Sequence, residues 1–144
     1  MPLPSKKVYL DASTFIAFID RAHIKYDQAT AYFRYFGIEE YQLFSDPVAI
    51  TEAYNKLYND ISPSLAKDFM RVMALSNVNM IYPEDSDMKA ALKAIVNFKT
   101  TDLTFTKALL SVLANKRGIS QIAPLSICPS SLGCRSFTFQ YNIT

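Results

Sequence analysis

The chain has no tryptophan, one histidine, two cysteines and three glycines among its 144 residues, and each scarcity closes a class of function. Gly37, Gly118 and Gly133 stand far apart. Phosphate loops and dinucleotide fingerprints need clustered glycines so that backbone can approach the phosphate, so both are excluded. Cys128 and Cys134 are spaced too widely for a redox pair, and His23 alone does not complete a zinc site. Free thiols in a reducing compartment are expected. Basic residues exceed acidic ones by a formal charge of only +2, scattered from Lys6 to Arg135, so no basic run marks nucleic acid or a membrane surface. No segment approaches the roughly 20 apolar residues that span a bilayer, and Met1 to Lys7 lacks the apolar centre of a signal peptide. A cytoplasmic protein with no membrane partner is the expectation.

Apolar side chains make up 50% of the residues and charged ones 19%, the balance of a globular protein. The length matches one domain over residues 1–144, enough to bury most apolar surface in a single core. Short apolar strands alternate with longer helical patterns, as in a parallel sheet with crossover helices. Strands are expected at Val8–Leu10, Gln42–Phe44, Met80–Tyr82 and Gln121–Ala123, with a fifth from the alternation of Ser136–Gln140. Helices are expected over Ser13–Ile19, Ile24–Phe36 with Gly37 as its stop, and from Asp46-Pro47 to about Asn59. Three more follow, over Leu65–Leu75 after the Ser62-Pro63-Ser64 break, Ser86–Phe98, and from near Thr104 to Gly118.

One carboxylate stands out on this map. Asp11 directly follows the first buried strand, where open α/β sheets place their ligands, although capping the first helix is an equally physical role for it. Asp46 reads as the cap of the helix that Pro47 opens. Glu52 lies nearly opposite the stripe of Ile50, Ala53, Leu57 and Ile61, which by itself favours a solvated helix face. Asp102 reads as an acid at a helix start. Ser13 suits either a phosphate contact or simple packing there. His23 is a single histidine in a polar connection. Lys107 falls in the first turn of the last helix, where a positive charge opposes the macrodipole and an acidic partner is expected. Tyrosines concentrate in the first half, fit either for an interface or for covering the sheet with their hydroxyls at the surface.

Four stretches together resemble the PIN domains, and among them the VapC-type toxin nucleases. Leu10-Asp11-Ala12-Ser13 is similar to the family's first strand end, with its acid and a hydroxyl two residues on. Ser45-Asp46 followed by Ile50-Thr51-Glu52-Ala53 resembles the second strand end and second acid. Leu103-Thr104-Phe105-Thr106-Lys107 resembles the helix start that carries the third acid, and Ile122-Ala123-Pro124-Leu125-Ser126 the strand end that carries the fourth. The resemblance covers nearly the whole chain. It implies a three-layer α/β fold, a five-stranded parallel sheet flanked by helices, and a magnesium- or manganese-dependent (Mg or Mn) endoribonuclease site where the acids converge.

The chain departs from that pattern at two positions, since Lys107 and Ser126 stand where acids are expected. Hard divalent ions take several oxygen ligands, and a two-metal site needs carboxylates to hold the ions and activate water. Asp11, Glu52 and Lys107 with neutral Ser126 sum to roughly one negative charge, against about four in a full site. Weak or absent metal binding at Asp11 and Glu52 is therefore expected. Lys107 is expected to fill the space of the ion and pair with Asp11 or Glu52, in a pocket framed by Ser13, Ser45, Asp46, Lys107 and Ser126. The reading is a PIN-like protein of ribonuclease ancestry, impaired in catalysis and acting as an RNA- or protein-binding module. The alternative is an active toxin nuclease whose catalytic acids are Asp11, Glu52 and Asp102. RNA, an antitoxin-like protein and a second copy are the partners in view, with no cofactor unless catalysis survives.

Overall fold

Val8, Tyr9 and Leu10 are all inaccessible to solvent, yet they serve two different cores. Val8 and Leu10 pack in one apolar cluster and Tyr9 in another, because successive side chains of a strand leave opposite faces of the sheet. In the computed structural model, which describes residues 6–123 and the backbone of 135–136, that division organises the molecule into three layers.

The middle layer is a parallel sheet of β1 (Lys7–Tyr9), β2 (Gln42–Ser45), β3 (Asn79–Met80) and β4 (Gln121–Ile122), in the order β3-β2-β1-β4. Lys7, Val8 and Tyr9 face Gln42, Leu43 and Phe44 in register, and Tyr9 faces Ile122 on the other side. Beyond β4, the backbone of Arg135–Ser136 pairs in parallel with Gln121 and Ile122. The expected five-stranded sheet is corrected accordingly. Four strands make the sheet, the pairing beyond them is two residues long, and 137–140 lie outside the described residues.

Helices α1 (Ala12–Ile19), α2 (Tyr26–Ile38), α3 (Pro47–Lys56) and α4 (Pro63–Leu75) cover one face. Phe15 of α1 meets Phe69 of α4 with ring centroids 5.5 Å apart. Burying a ring such as Phe69 contributes about 1.5–3 kcal/mol. Helices α5 (Asp85–Asn97) and α6 (Phe105–Lys116) cover the other face, with Ala91, Leu109, Leu110 and Leu113 packed around Tyr9 and Ile122. Among the described residues no helix is long and apolar enough to cross a membrane.

Local chemistry sets most of the helix ends. Asp11, Asp46, Ser62 and Thr104 each accept a hydrogen bond from the backbone N–H of the third residue of the helix they precede, relieving one of the orphan donors there. Pro47 and Pro63 open α3 and α4 with their rings at positions that need no N–H. Between these two helices the chain winds through one π turn, Leu57–Ile61, closed by Ser62 N–H on the Leu57 carbonyl at 2.8 Å. Gly118 ends α6 with φ of +69°, a left-handed turn that glycine adopts without steric cost. Gly37 does not stop α2, contrary to expectation. The helix runs through it to Ile38, and the left-handed residue that follows is Glu40, with φ of +57°.

Candidate functional site

In the order β3-β2-β1-β4 the chain leaves β1 towards β2 on one side and returns as β4 on the other, so the switch point lies between β1 and β4. Crevices for ligands open there, at the carboxyl ends of the strands. Asp11 stands just past the end of β1 and is 6% exposed. Its Oδ1 accepts from Ser13 Oγ at 2.8 Å, Thr14 N at 3.2 Å and Thr14 Oγ1 at 3.3 Å. Ser45 ends β2 and donates its hydroxyl to the Leu10 carbonyl at 2.8 Å, which ties the two strand ends together.

Asp46 is 0% exposed. Ala49 N donates to its Oδ1 at 2.9 Å and the Tyr9 hydroxyl to its Oδ2 at 2.6 Å. Burial raises its carboxyl above the usual range. The bonds from Tyr9 and from the Ala49 and Val48 backbone oppose that shift, and the nearby charge of Asp11 adds to it. Burial, followed by the charge and hydrogen bond of Asp46, likewise pushes the Tyr9 hydroxyl far above the ordinary phenol range. Asp11 and Asp46 are thus electrostatic neighbours at one edge of the sheet, and neither makes an ion pair among the described residues.

Among the described residues no hydrogen bond or ion pair links Glu52, Asp102 or Lys107 to these two acids. Glu52 sits in the middle of α3 with its side chain 28% exposed and paired to Lys56 at 3.0 Å, one turn on. Asp102 is exposed before α6, its backbone N–H directed to Thr100 Oγ1 at 3.4 Å. Lys107 lies in the first turn of α6 as expected, partly buried, with its N–H bonded to Thr104 Oγ1 at 3.2 Å. The expected ion pair of Lys107 with Asp11 or Glu52 is corrected: among the described residues its ammonium makes none, and the carboxylate of Glu52 is taken by a lysine of its own helix. Ser126 follows β4 but lies outside the described residues.

A magnesium or manganese ion is what the resemblance implies here, and it asks for about six oxygens in near-octahedral array. Among the described residues no group of three or more His, Cys, Asp or Glu side chains is placed to hold a metal ion. Three donors crowd one oxygen of Asp11, and both oxygens of Asp46 are occupied by protein donors. The described donor set does not fit a divalent ion.

Beside these acids lies a cleft of about 300 Å³ lined by Ser13, Ile16, Ala17, His23, Lys25 and Lys56. Ser13 belongs to both places, since it lines the cleft and bonds Asp11.

No family model and no curated protein matches this sequence. Among solved structures the chain is similar to VapC20 of Mycobacterium tuberculosis, described as a toxin that cleaves the sarcin-ricin loop. The two share 13% identity over 80% of this chain and 86% of that one, with a TM-score of 0.71. The fold is PIN-like. On this PIN-like frame Asp11 and Asp46 stand at neighbouring strand ends, and the basic cleft lies alongside them. Reading the residues in order misses the Tyr9–Asp46 bond and the meeting of Lys25 with Lys56. Their only advance signals are a tyrosine within a buried strand and two lysines near predicted helix ends.

Proposed function

We propose that this PIN-like domain binds RNA and is impaired as a nuclease, because Lys107 and Ser126 stand where the resemblance to VapC toxins expects the third and fourth acids. One observation carries the reading: the two acids gathered at the strand ends are held by the chain's own donors, from Ser13, Thr14, Ala49 and Tyr9. A buried carboxylate with such partners needs no ion to be satisfied. Asp11 then serves chiefly to anchor α1, while Ser13, Ser45 and Asp46 frame the pocket and Lys107 reduces its negative charge. RNA is proposed as the ligand class from the likeness to VapC20, a toxin described as cleaving the sarcin-ricin loop. An antitoxin-like protein is the second partner that the resemblance implies.

An active enzyme built on Asp11, Glu52 and Asp102 would require Glu52 to release Lys56 and Asp102 to leave the solvent. The test is an assay of the purified chain on a structured RNA, with manganese and with chelator. Binding that persists in chelator, without metal-dependent cleavage, is expected. Cleavage that needs manganese and disappears in Asp11→Asn overturns the proposal.

A further inference from the structure

The cleft between α1, the α1–α2 connection and the end of α3 has a one-sided chemistry. Two of its six lining residues are lysines, one is histidine and none is acidic, although the whole chain is nearly balanced in charge. Lys25 is exposed and makes no ion pair among the described residues. Lys56 pairs with Glu52 at 3.0 Å, but its side chain is 56% exposed, and an exposed pair of this kind is weak enough for an incoming anion to compete with it. His23 Nδ1 accepts from Lys25 N at 3.0 Å, which leaves Nε2 to carry the ring proton as a donor. Ile16, partly exposed, supplies an apolar wall, with buried Ala17 behind it.

We infer that this cleft is an anion subsite that takes a backbone phosphate of RNA, with the attached ribose against Ile16. Lysines act as point charges that meet phosphate oxygens in many orientations, whereas planar carboxylates are best matched by the fork of an arginine, and no arginine lines the cleft. A volume of about 300 Å³ exceeds one phosphate group and suits a phosphodiester with its sugar. Ser13 couples the subsite to Asp11, so a strand seated there passes beside the acids at the sheet edge. The inference rests on the RNA-binding reading and is tested apart from it.

The experiment follows a fluorescent single-stranded oligoribonucleotide by anisotropy across a salt series in chelator, for the natural chain and for Lys25→Ala with Lys56→Ala. At least tenfold weaker binding by the double variant is expected, with a salt slope shallower by about 0.7 for each phosphate that it no longer neutralises. If both proteins bind RNA with equal affinity and slope, the subsite is wrong while the RNA reading stands. An acidic peptide of matched charge that competes as well as the oligonucleotide overturns the assignment to phosphate. If the natural chain binds no RNA, the RNA reading fails, and an NMR titration with inorganic phosphate decides the subsite. Shifts of the Ser13, Ile24 and Lys25 amides that the double variant lacks support it, and unmoved amides overturn it.

Discussion

Two pairs of acids sit at helix starts in the two helix layers, and they are held in opposite ways. Asp11 and Asp46 lie near one another with no ion pair to either among the described residues, and Asp46 is pushed towards its protonated form, chiefly by burial. Glu84 and Asp87, at the start of α5, both receive Lys116 from the last turn of α6, at 3.4 Å and 3.2 Å. The Glu84 N–H, followed by Lys116, holds the Asp87 carboxyl below the usual carboxylate range. One helix therefore carries two lysines with different fates. Lys116 stands where the macrodipole favours a cation and closes a network, whereas Lys107 stands in the first turn, where it is disfavoured, and pairs with neither Asp11 nor Glu52. The difference teaches that the strand-end acids receive hydroxyls and backbone N–H groups, where the acids of α5 receive a lysine.

The largest effect expected from breaking this contrast is on metal binding. Changing Lys107→Asp together with Ser126→Asp takes the formal charge of the pocket from roughly minus one to about minus four. Manganese affinity should rise by about a hundredfold or more, equivalent to about 3 kcal/mol, in titration calorimetry. An unchanged affinity means that charge at those two positions does not limit metal recruitment.

Next in size is Tyr9→Phe, which leaves Asp46 Oδ2 inside the protein without its donor. Guanidinium unfolding should show a loss of about 1–3 kcal/mol. A loss within error would mean that the bond contributes nothing net.

The pH dependence of stability sharpens the comparison further, because the two acids act with opposite sign. The native state binds the Asp46 proton more tightly than the unfolded chain does, so Asp46 costs stability as pH rises from the ordinary carboxylate range through its raised value. Asp87 contributes stability above the ordinary carboxylate range and loses it as pH falls through its lowered value. Urea melts across acidic pH should show the first slope vanish in Asp46→Asn and the second vanish in Asp87→Asn. Slopes of the same sign would remove the contrast between the two regions.

The smallest effect is expected at Lys107 itself. With no ion pair to lose, Lys107→Met should change stability by less than about 0.5 kcal/mol in a thermal melt. A loss of several kcal/mol would restore the buried pair with Asp11 or Glu52.

The helix starts are legible in the sequence because their causes are local. Asp46-Pro47 and Thr104 carry the capping oxygen and, in the first case, the proline within a few residues, whereas Ser62-Pro63, expected as a break before a helix from Leu65, itself caps and opens α4. Asp46 reads as a cap, and it is one. Its burial is not legible, since that depends on a tyrosine 37 positions away in another strand. Gly37 misleads because glycine permits a helix stop without causing one. The α2 end is made instead by Tyr41 N–H returning to the Phe36 carbonyl at 2.9 Å. The site divides in the same way. The four stretches that resemble the VapC pattern lead to the fold, and β1 and β4 are indeed neighbours. Periodicity places Glu52 on a solvated face, and it is partly exposed there beside Lys56. Whether Lys107 meets an acid, and which residues line the basic cleft, are tertiary matters that no spacing along the chain encodes.

The proposed function, RNA binding by a domain whose strand-end acids do not serve a metal, makes a single demand of the natural chain. The most direct measurement is its affinity for a structured RNA, with manganese and again with chelator, with RNA integrity followed in the same samples. Equal affinity in both conditions with uncut RNA is the predicted result. Binding that collapses in chelator, or manganese-dependent cleavage abolished by Asp11→Asn, would contradict it.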